Sequence, residues 1–117
     1  MDKVTIWHNP RCSKSRNSLA LLEEKGLDAE VVKYLDEVPS KEALQNMLNM
    51  LGMSSARELM RTKEAVYKEL NLADERSEEV LLDAMLTNPK LIERPIVIKG
   101  NKAAIGRPIE KVIELLA

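Results

Sequence analysis

Residues 3–16 read KVTIWHNPRCSKSR, and the reading of this stretch decides the fold. Lys3 to His8 alternates polar and apolar positions around the β-branched Val4, Thr5 and Ile6, which is the pattern of a strand. Asn9-Pro10 breaks it. From about Ser13 a helical pattern carries Leu19, Ala20 and Leu22 to one side, and Gly26 is placed to stop it. Cys12 lies between the two, past the strand and immediately ahead of the helix. Glu30 to Leu35, with Val31, Val32 and Tyr34, reads as a second strand, so the first third of the chain is a βαβ unit. Its strands are expected to be parallel, with a right-handed crossover.

Downstream the period changes. Pro39-Ser40 precedes Leu44, Met47, Leu48 and Leu51, spaced as one face of a helix. Ser55 with Glu58 has the form of a capping box, opening a short helix that ends near Arg61. An amphipathic segment covers roughly 63–70, and Ser77 opens a helix with Leu81, Leu82 and Met85 inward, stopped by Asn88-Pro89. The methionines at 47, 50, 53, 60 and 85 sit mostly on such faces and read as core filler. Pro95 to Ile98 and Ala103 to Ile105 flank a Gly100-Asn101 turn as a hairpin. A last helix starts at Arg107-Pro108, with Ile109, Val112, Ile113 and Leu116 as its buried face. The order is β-α-β, a helical block, then β-β-α. With all four strands in one sheet this is a thioredoxin-like α/β fold, its four-stranded mixed sheet interrupted by a helical insertion.

Composition sets outer limits. A chain of 117 residues fits a single domain, and 44% apolar with 32% charged residues is ordinary for a globular one. There is no Phe, so the core is built from aliphatic side chains. A net charge of -1 argues against a nucleic-acid partner held by general phosphate attraction, though not against a local basic pocket. No apolar run approaches the ~20 residues that span a membrane. The strand pattern begins at the N-terminus, so no signal peptide is expected, and the chain reads as cytoplasmic with no membrane partner. One Cys forms no internal disulfide, and no Cys/His cluster marks a metal site.

By count alone a lone Cys is most often a small buried hydrophobe. The position of Cys12 reverses that reading. Unpaired amides in the first turn of a helix, together with the positive end of its dipole, favour a thiolate. Lowering a thiol pKa of ~8.5 by about two units takes roughly 2.7 kcal/mol of preference for the anion. A helix end contributes ~0.3–1 kcal/mol, or ~2 when partly buried, so other positive groups must share the task. Arg11, Lys14 and Arg16 flank the thiol, and His8 adds a partial charge. The same helix end offers the amides of residues 13–16 to an oxyanion, and the Ser15 hydroxyl is a donor for thiolate or oxyanion. Three further arginines stand at structural transitions: Arg61 at a helix end, Arg94 before Pro95 and Arg107 before Pro108. Guanidinium forks match tetrahedral oxyanions and stay charged at any accessible pH.

At this point the residues resemble a known family. The run His8-Asn9-Pro10-Arg11-Cys12-Ser13-Lys14-Ser15-Arg16-Asn17 is similar to the H-N-P-x-C-x-x-S-R-N signature of the glutaredoxin-coupled arsenate reductases. Arg57-Glu58-Leu59-Met60-Arg61, Glu93-Arg94-Pro95-Ile96-Val97 and Gly106-Arg107-Pro108 resemble the segments that carry that family's three oxyanion-binding arginines. The resemblance implies that Cys12 attacks arsenate and that Arg61, Arg94 and Arg107 bind it. His8 would lower the thiol pKa, and Ser15 and Arg16 would assist at the oxyanion. It also implies glutathione as co-substrate, glutaredoxin as the reductant of the resulting mixed disulfide, no bound cofactor, and a cis Arg94–Pro95 peptide. The single Cys agrees independently, because without an internal resolving thiol the later steps need outside thiols. Two other readings share the fold. A regulator of the Spx type that binds RNA polymerase commonly carries C-x-x-C, and Ser15 stands here in place of the second Cys. A monothiol glutathione-dependent disulfide reductase would need Cys12 but not the three arginines.

Overall fold

Val4, Thr5 and Ile6 form a strand in which Val4 and Ile6 bury one pleat face, while on the other face Thr5 is partly open and Trp7 is buried. The computed structural model describes residues 3–106 and 109–117. It divides into two compact units: the two ends of the chain, Met1–Glu37 with Arg94–Ala117, and the segment between them, Val38–Glu93.

The first unit holds the sheet. Its elements are β1 (Val4–Trp7), α1 (Ser13–Glu24), β2 (Glu30–Val32), β3 (Ile96–Lys99), β4 (Lys102–Ile105) and α5 (Glu110–Leu116). The strand order is β2-β1-β3-β4. β1 and β2 are parallel, with Ile6 opposite Val31, whereas β1–β3 and β3–β4 are antiparallel, with Ile6 opposite Val97 and Val97 opposite Ala104. This is the thioredoxin-like arrangement that the sequence predicts. Val4 and Ile6, with Val97 beside them, bury one sheet face against Leu22 of α1 and Val112 of α5. Gly26 (φ +71°) and Gly100 (φ +62°) take the left-handed conformations that end α1 and turn the β3–β4 hairpin.

Two expectations shift. β2 stops at Val32 rather than Leu35, because the Lys33 carbonyl accepts the amides of Asp36 (3.0 Å) and Glu37 (2.8 Å) and the chain turns there. Tyr34 is nonetheless fully buried outside the strand. In α5 the inward face is set by Val112, whose i+3 and i+4 neighbours Leu115 and Leu116 pack on the core. Ile113, one residue round the helix, is 43% exposed instead of buried. The expected helix start at Arg107-Pro108 lies outside the described residues, and the helix is observed from Glu110.

The second unit contains α2 (Lys41–Leu51), α3 (Ala65–Glu69) and α4 (Glu78–Thr87), with 3-10 turns at Ala56–Leu59, Leu72–Asp74 and Pro89–Leu91. Ser40 and Ser77 cap α2 and α4 by accepting the amides of Ala43 and Val80. Such caps are each worth ~1 kcal/mol. The predicted Ser55–Glu58 capping box is present, and it opens the 3-10 turn Ala56–Leu59. Leu44, Met47, Leu81, Leu82 and Met85 are buried, so the helical periods face inward as read. Met60 is buried too, and Met50 and Met53 are partly so, in keeping with a packing role for the methionines.

Gly106 follows β4, and its amide donates to the Pro95 carbonyl at 2.9 Å. A Cβ at this position would lie 2.5 Å from Ser18 Oγ and 2.8 Å from Pro95 Cγ. Pro95 is a rigid ring, and Ser18 is a fully buried hydroxyl without a hydrogen-bond partner among the described residues. Gly106→Ala is therefore expected to cost about 1–3 kcal/mol in denaturant unfolding, the range for overpacking. Ser18→Ala should be tolerated alone and should recover part of that loss in the double variant.

Candidate active site

Asn9-Pro10 ends β1, and the chain from His8 to Cys12 folds into a loop closed by hydrogen bonds. The His8 amide still donates to Val32 of β2 (2.8 Å), which keeps the first two strands paired up to the loop. The Cys12 amide donates to the Asn9 carbonyl (3.0 Å), and Asn9 Oδ1 accepts the Arg11 amide (3.0 Å). Arg16 reaches back from α1, its Nη1 donating to the Pro10 carbonyl at 2.9 Å. Ser15 is fully buried; its Oγ accepts the Asn9 amide at 3.0 Å and lies 2.6 Å from His8 Nδ1. Ser15 and Arg16 thus fasten the loop to the first turn of α1.

Cys12 is the N-cap of α1, in extended backbone geometry (φ −99°, ψ 123°), and its side chain makes no capping bond. The first intrahelical bond runs from the Arg16 amide to the Cys12 carbonyl (3.0 Å). The amides of Ser13, Lys14 and Ser15 therefore precede the hydrogen-bonded ladder, at the positive end of the helix. Cys12 is buried, with 8% of its surface exposed. Lys14 and Arg11 are exposed.

His8 is 5% exposed, and its pKa is lowered first by burial, then by the positive charges of Lys33 and Arg16. The ring is therefore neutral near pH 7. Either Nδ1–H donates to Ser15 Oγ or the Ser15 hydroxyl donates to Nδ1, and both arrangements leave Ser15 able to accept the Asn9 amide. His8 therefore supplies a hydrogen-bonding contact to the loop rather than a full charge. Lys33, at the end of β2, went unnoticed in the sequence because its proximity to His8 arises only from the parallel strand pairing.

The Arg94–Pro95 peptide is cis. Because Trp7 pairs with Ile96, this peptide lies at the same end of the sheet as the His8–Cys12 loop. Arg94 is half-buried, with Nε and Nη1 enclosed. Arg107 lies outside the described residues. Arg61 belongs to the second unit. There a short ladder holds it: its amide donates to Leu91 (2.7 Å), Met60 bridges Ile92, and Glu93 donates back to Leu59 (2.8 Å). Its guanidinium pairs with Glu64 (2.6 Å) and, more loosely, with Glu93 (3.8 Å). The side chains of all three partners are 26% exposed, so these pairs are partly buried. Arg57 is different in kind. Its fork is spent on Tyr67 Oη (2.6 Å) and on the carbonyls of Leu72 (2.7 Å) and Glu75, which makes it structural.

No group of three or more His, Cys, Asp or Glu side chains among the described residues is arranged to hold a metal ion. No helix among them is long and apolar enough to cross a membrane.

A parallel β1–β2 pair, a cis-proline at the adjacent strand, and one cysteine capping the first helix define a thioredoxin-like protein with a single-thiol site. The ArsC family model matches residues 7–115. The arsenate reductase of Neisseria meningitidis serogroup A is 50% identical over 117 residues, spanning 99% of this chain and 100% of that one. The uncharacterised protein YfgD of Escherichia coli K12 is 58% identical over 115 residues, 97% of both chains. Among solved structures, the arsenate reductase from Vibrio cholerae superposes with a TM-score of 0.93 at 51% identity over 97% of each chain. The chain belongs to the ArsC family.

His8 is the sole histidine, so its titration can be followed in the stability of the fold. Its folded pKa lies below the ordinary value of ~6.5, and the unfolded chain therefore binds the extra proton first as pH falls. Stability is expected to be full above pH ~6.5 and to decline as pH drops toward the depressed folded value. Urea unfolding between pH 8 and 5 measures this, and His8→Gln should flatten the slope in that window.

Proposed function

We propose that this protein reduces arsenate to arsenite through a covalent adduct on Cys12, with glutathione as co-substrate and glutaredoxin as the regenerating partner. The observation that carries the reading is Cys12 at the N-cap of α1, ahead of three amides that precede the helical ladder. A helix N-terminus with this geometry favours both a thiolate and a bound oxyanion.

The chemistry balances with one protein thiol. The Cys12 thiolate bonds to arsenic and an arsenate oxygen leaves as water, giving a sulfur–arsenic(V) adduct. Glutathione sulfur then bonds to Cys12 sulfur while the sulfur–arsenic electron pair passes to arsenic, which departs as arsenite, arsenic(III). One arsenate and two thiols give arsenite, a disulfide and water. Glutaredoxin thiol attacks the glutathione sulfur of that disulfide and frees Cys12. The relatives' named activity and the motif resemblance support arsenate as the oxyanion. The motif resemblance alone implies its binding by Arg61, Arg94 and Arg107, whose charge would stabilise the adduct as preorganised electrostatics require.

Arsenate-dependent NADPH oxidation, with glutathione, glutaredoxin and glutathione reductase present, tests the reading. The native protein should turn over and Cys12→Ser should not. Arg94→Ala should lower arsenate kcat/KM by about 100-fold or more, the scale for one lost donor to developing charge. The same variant should still exchange disulfides at Cys12, which a monothiol disulfide reductase would do equally well without arginines. Absence of arsenate turnover from a folded protein with a reactive thiol would sink the assignment.

A further inference from the structure

The two parallel strands end side by side, and outside their carboxyl ends lies a cleft of about 250 Å³. One wall is the loop from His8 to Arg11, and the other is Lys33, Leu35 and Asp36. Crevices at the carboxyl ends of adjacent parallel strands are where open α/β sheets bind ligands. Here the mouth is built by two local features. The His8 amide stays bonded to Val32, which holds the strands together to their ends, and the turn closed on the Lys33 carbonyl brings Leu35 and Asp36 round to the cleft.

The lining specifies a ligand type. Arg11 and Lys33 are cationic and exposed, Asp36 is anionic, and Leu35 presents an apolar surface, 36% exposed. Two cations, one anion and an apolar strip fit an amino-acid head group: carboxylate to Arg11 and Lys33, ammonium to Asp36, methylenes over Leu35. The volume is below the ~300–1,000 Å³ of sites that enclose a whole drug-sized ligand, so it accommodates one arm of a longer molecule. Arg11 adjoins Cys12, so a molecule seated by that arm can direct its remainder toward the sulfur. We infer that this cleft is the subsite for the γ-glutamyl arm of the thiol co-substrate, and that Lys33 and Asp36 set specificity for γ-glutamyl thiols. The inference rests on the glutathione dependence proposed above.

A measurement without arsenate separates the two readings. The Cys12 thiolate attacks one sulfur of glutathione disulfide, forms the mixed disulfide, and releases the other half as glutathione thiolate. The rate of that step is compared with attack on 2-hydroxyethyl disulfide, which has no carboxylate or ammonium. Lys33→Ala should slow reaction with glutathione disulfide about tenfold and leave the uncharged disulfide within about twofold. Asp36→Asn should act in the same direction. Both positions are exposed, and thermal unfolding verifies that the variants fold. In the coupled arsenate assay, Lys33→Ala should raise KM for glutathione and γ-glutamylcysteine but not for cysteinylglycine or arsenate. Equal slowing of both disulfides would mean that Lys33 acts on the thiol itself and would overturn the subsite, as would unchanged rates with both. A rise in arsenate KM instead would reassign the cleft to the oxyanion. Loss of the glutathione-disulfide preference in a protein with no arsenate turnover would retain the cleft and discard the arsenate reading.

Discussion

Ser15 Oγ accepts the Asn9 amide and meets His8 Nδ1 at 2.6 Å, with the whole residue withdrawn from solvent. That buried hydroxyl ties the last residue of the strand pattern, the first residue of the loop and the first turn of α1 into one unit. Without it, the partly buried Asn9 amide would lose this hydrogen bond, a contribution of ~0.5–1.5 kcal/mol. The remaining loop contacts follow from this fixed point. Cys12 bonds back to Asn9, Arg11 bonds to the Asn9 side chain, and Arg16 caps the Pro10 carbonyl. The sulfur is thereby positioned by backbone and by a short side chain with few rotamers, the rigid kind of support that a reacting atom needs.

The other half of the sheet contributes by register. Pairing of Trp7 with Ile96 and of Ile96 with Ile105 brings Pro95 and Gly106 to the end where the loop sits. Their close approach explains why a glycine follows β4: any side chain there would collide with Pro95 and with Ser18 of α1. The sequence Gly106-Arg107-Pro108 therefore combines a packing requirement at its first residue with a candidate ligand at its second.

The sequence was legible where a period or a breaker carried the information. The change from a two-residue to a helical period across Asn9-Pro10 placed Cys12 at a helix end, and Ser40, Ser55 and Ser77 announced three of the caps. It was opaque where long-range pairing decides. Lys33 acts on His8 only because β1 and β2 are parallel neighbours. In the run Arg57-Glu58-Leu59-Met60-Arg61 the two arginines are chemically equal, yet one fork is consumed by Tyr67 and two carbonyls while the other pairs with carboxylates. Periodicity likewise assigned Ile113 to the core, because the phase of a seven-residue helix depends on which residue the sheet accepts first.

The depressed pKa of His8 bears on how an anion would be held. Burial is the largest cause of the shift, and the charges of Lys33 and Arg16 add to it, so the His8 ring lies in a positive field. A field that disfavours a proton on His8 keeps the ring in its neutral, hydrogen-bonding form. The sources of that field beside the ring are the Arg16 guanidinium and the Lys33 ammonium. A protonated histidine would have made the field fade as pH rose through its pKa. Here the imidazole remains neutral and serves as a hydrogen-bonding strut, so His8 itself adds no pH-dependent charge to the loop across neutral pH.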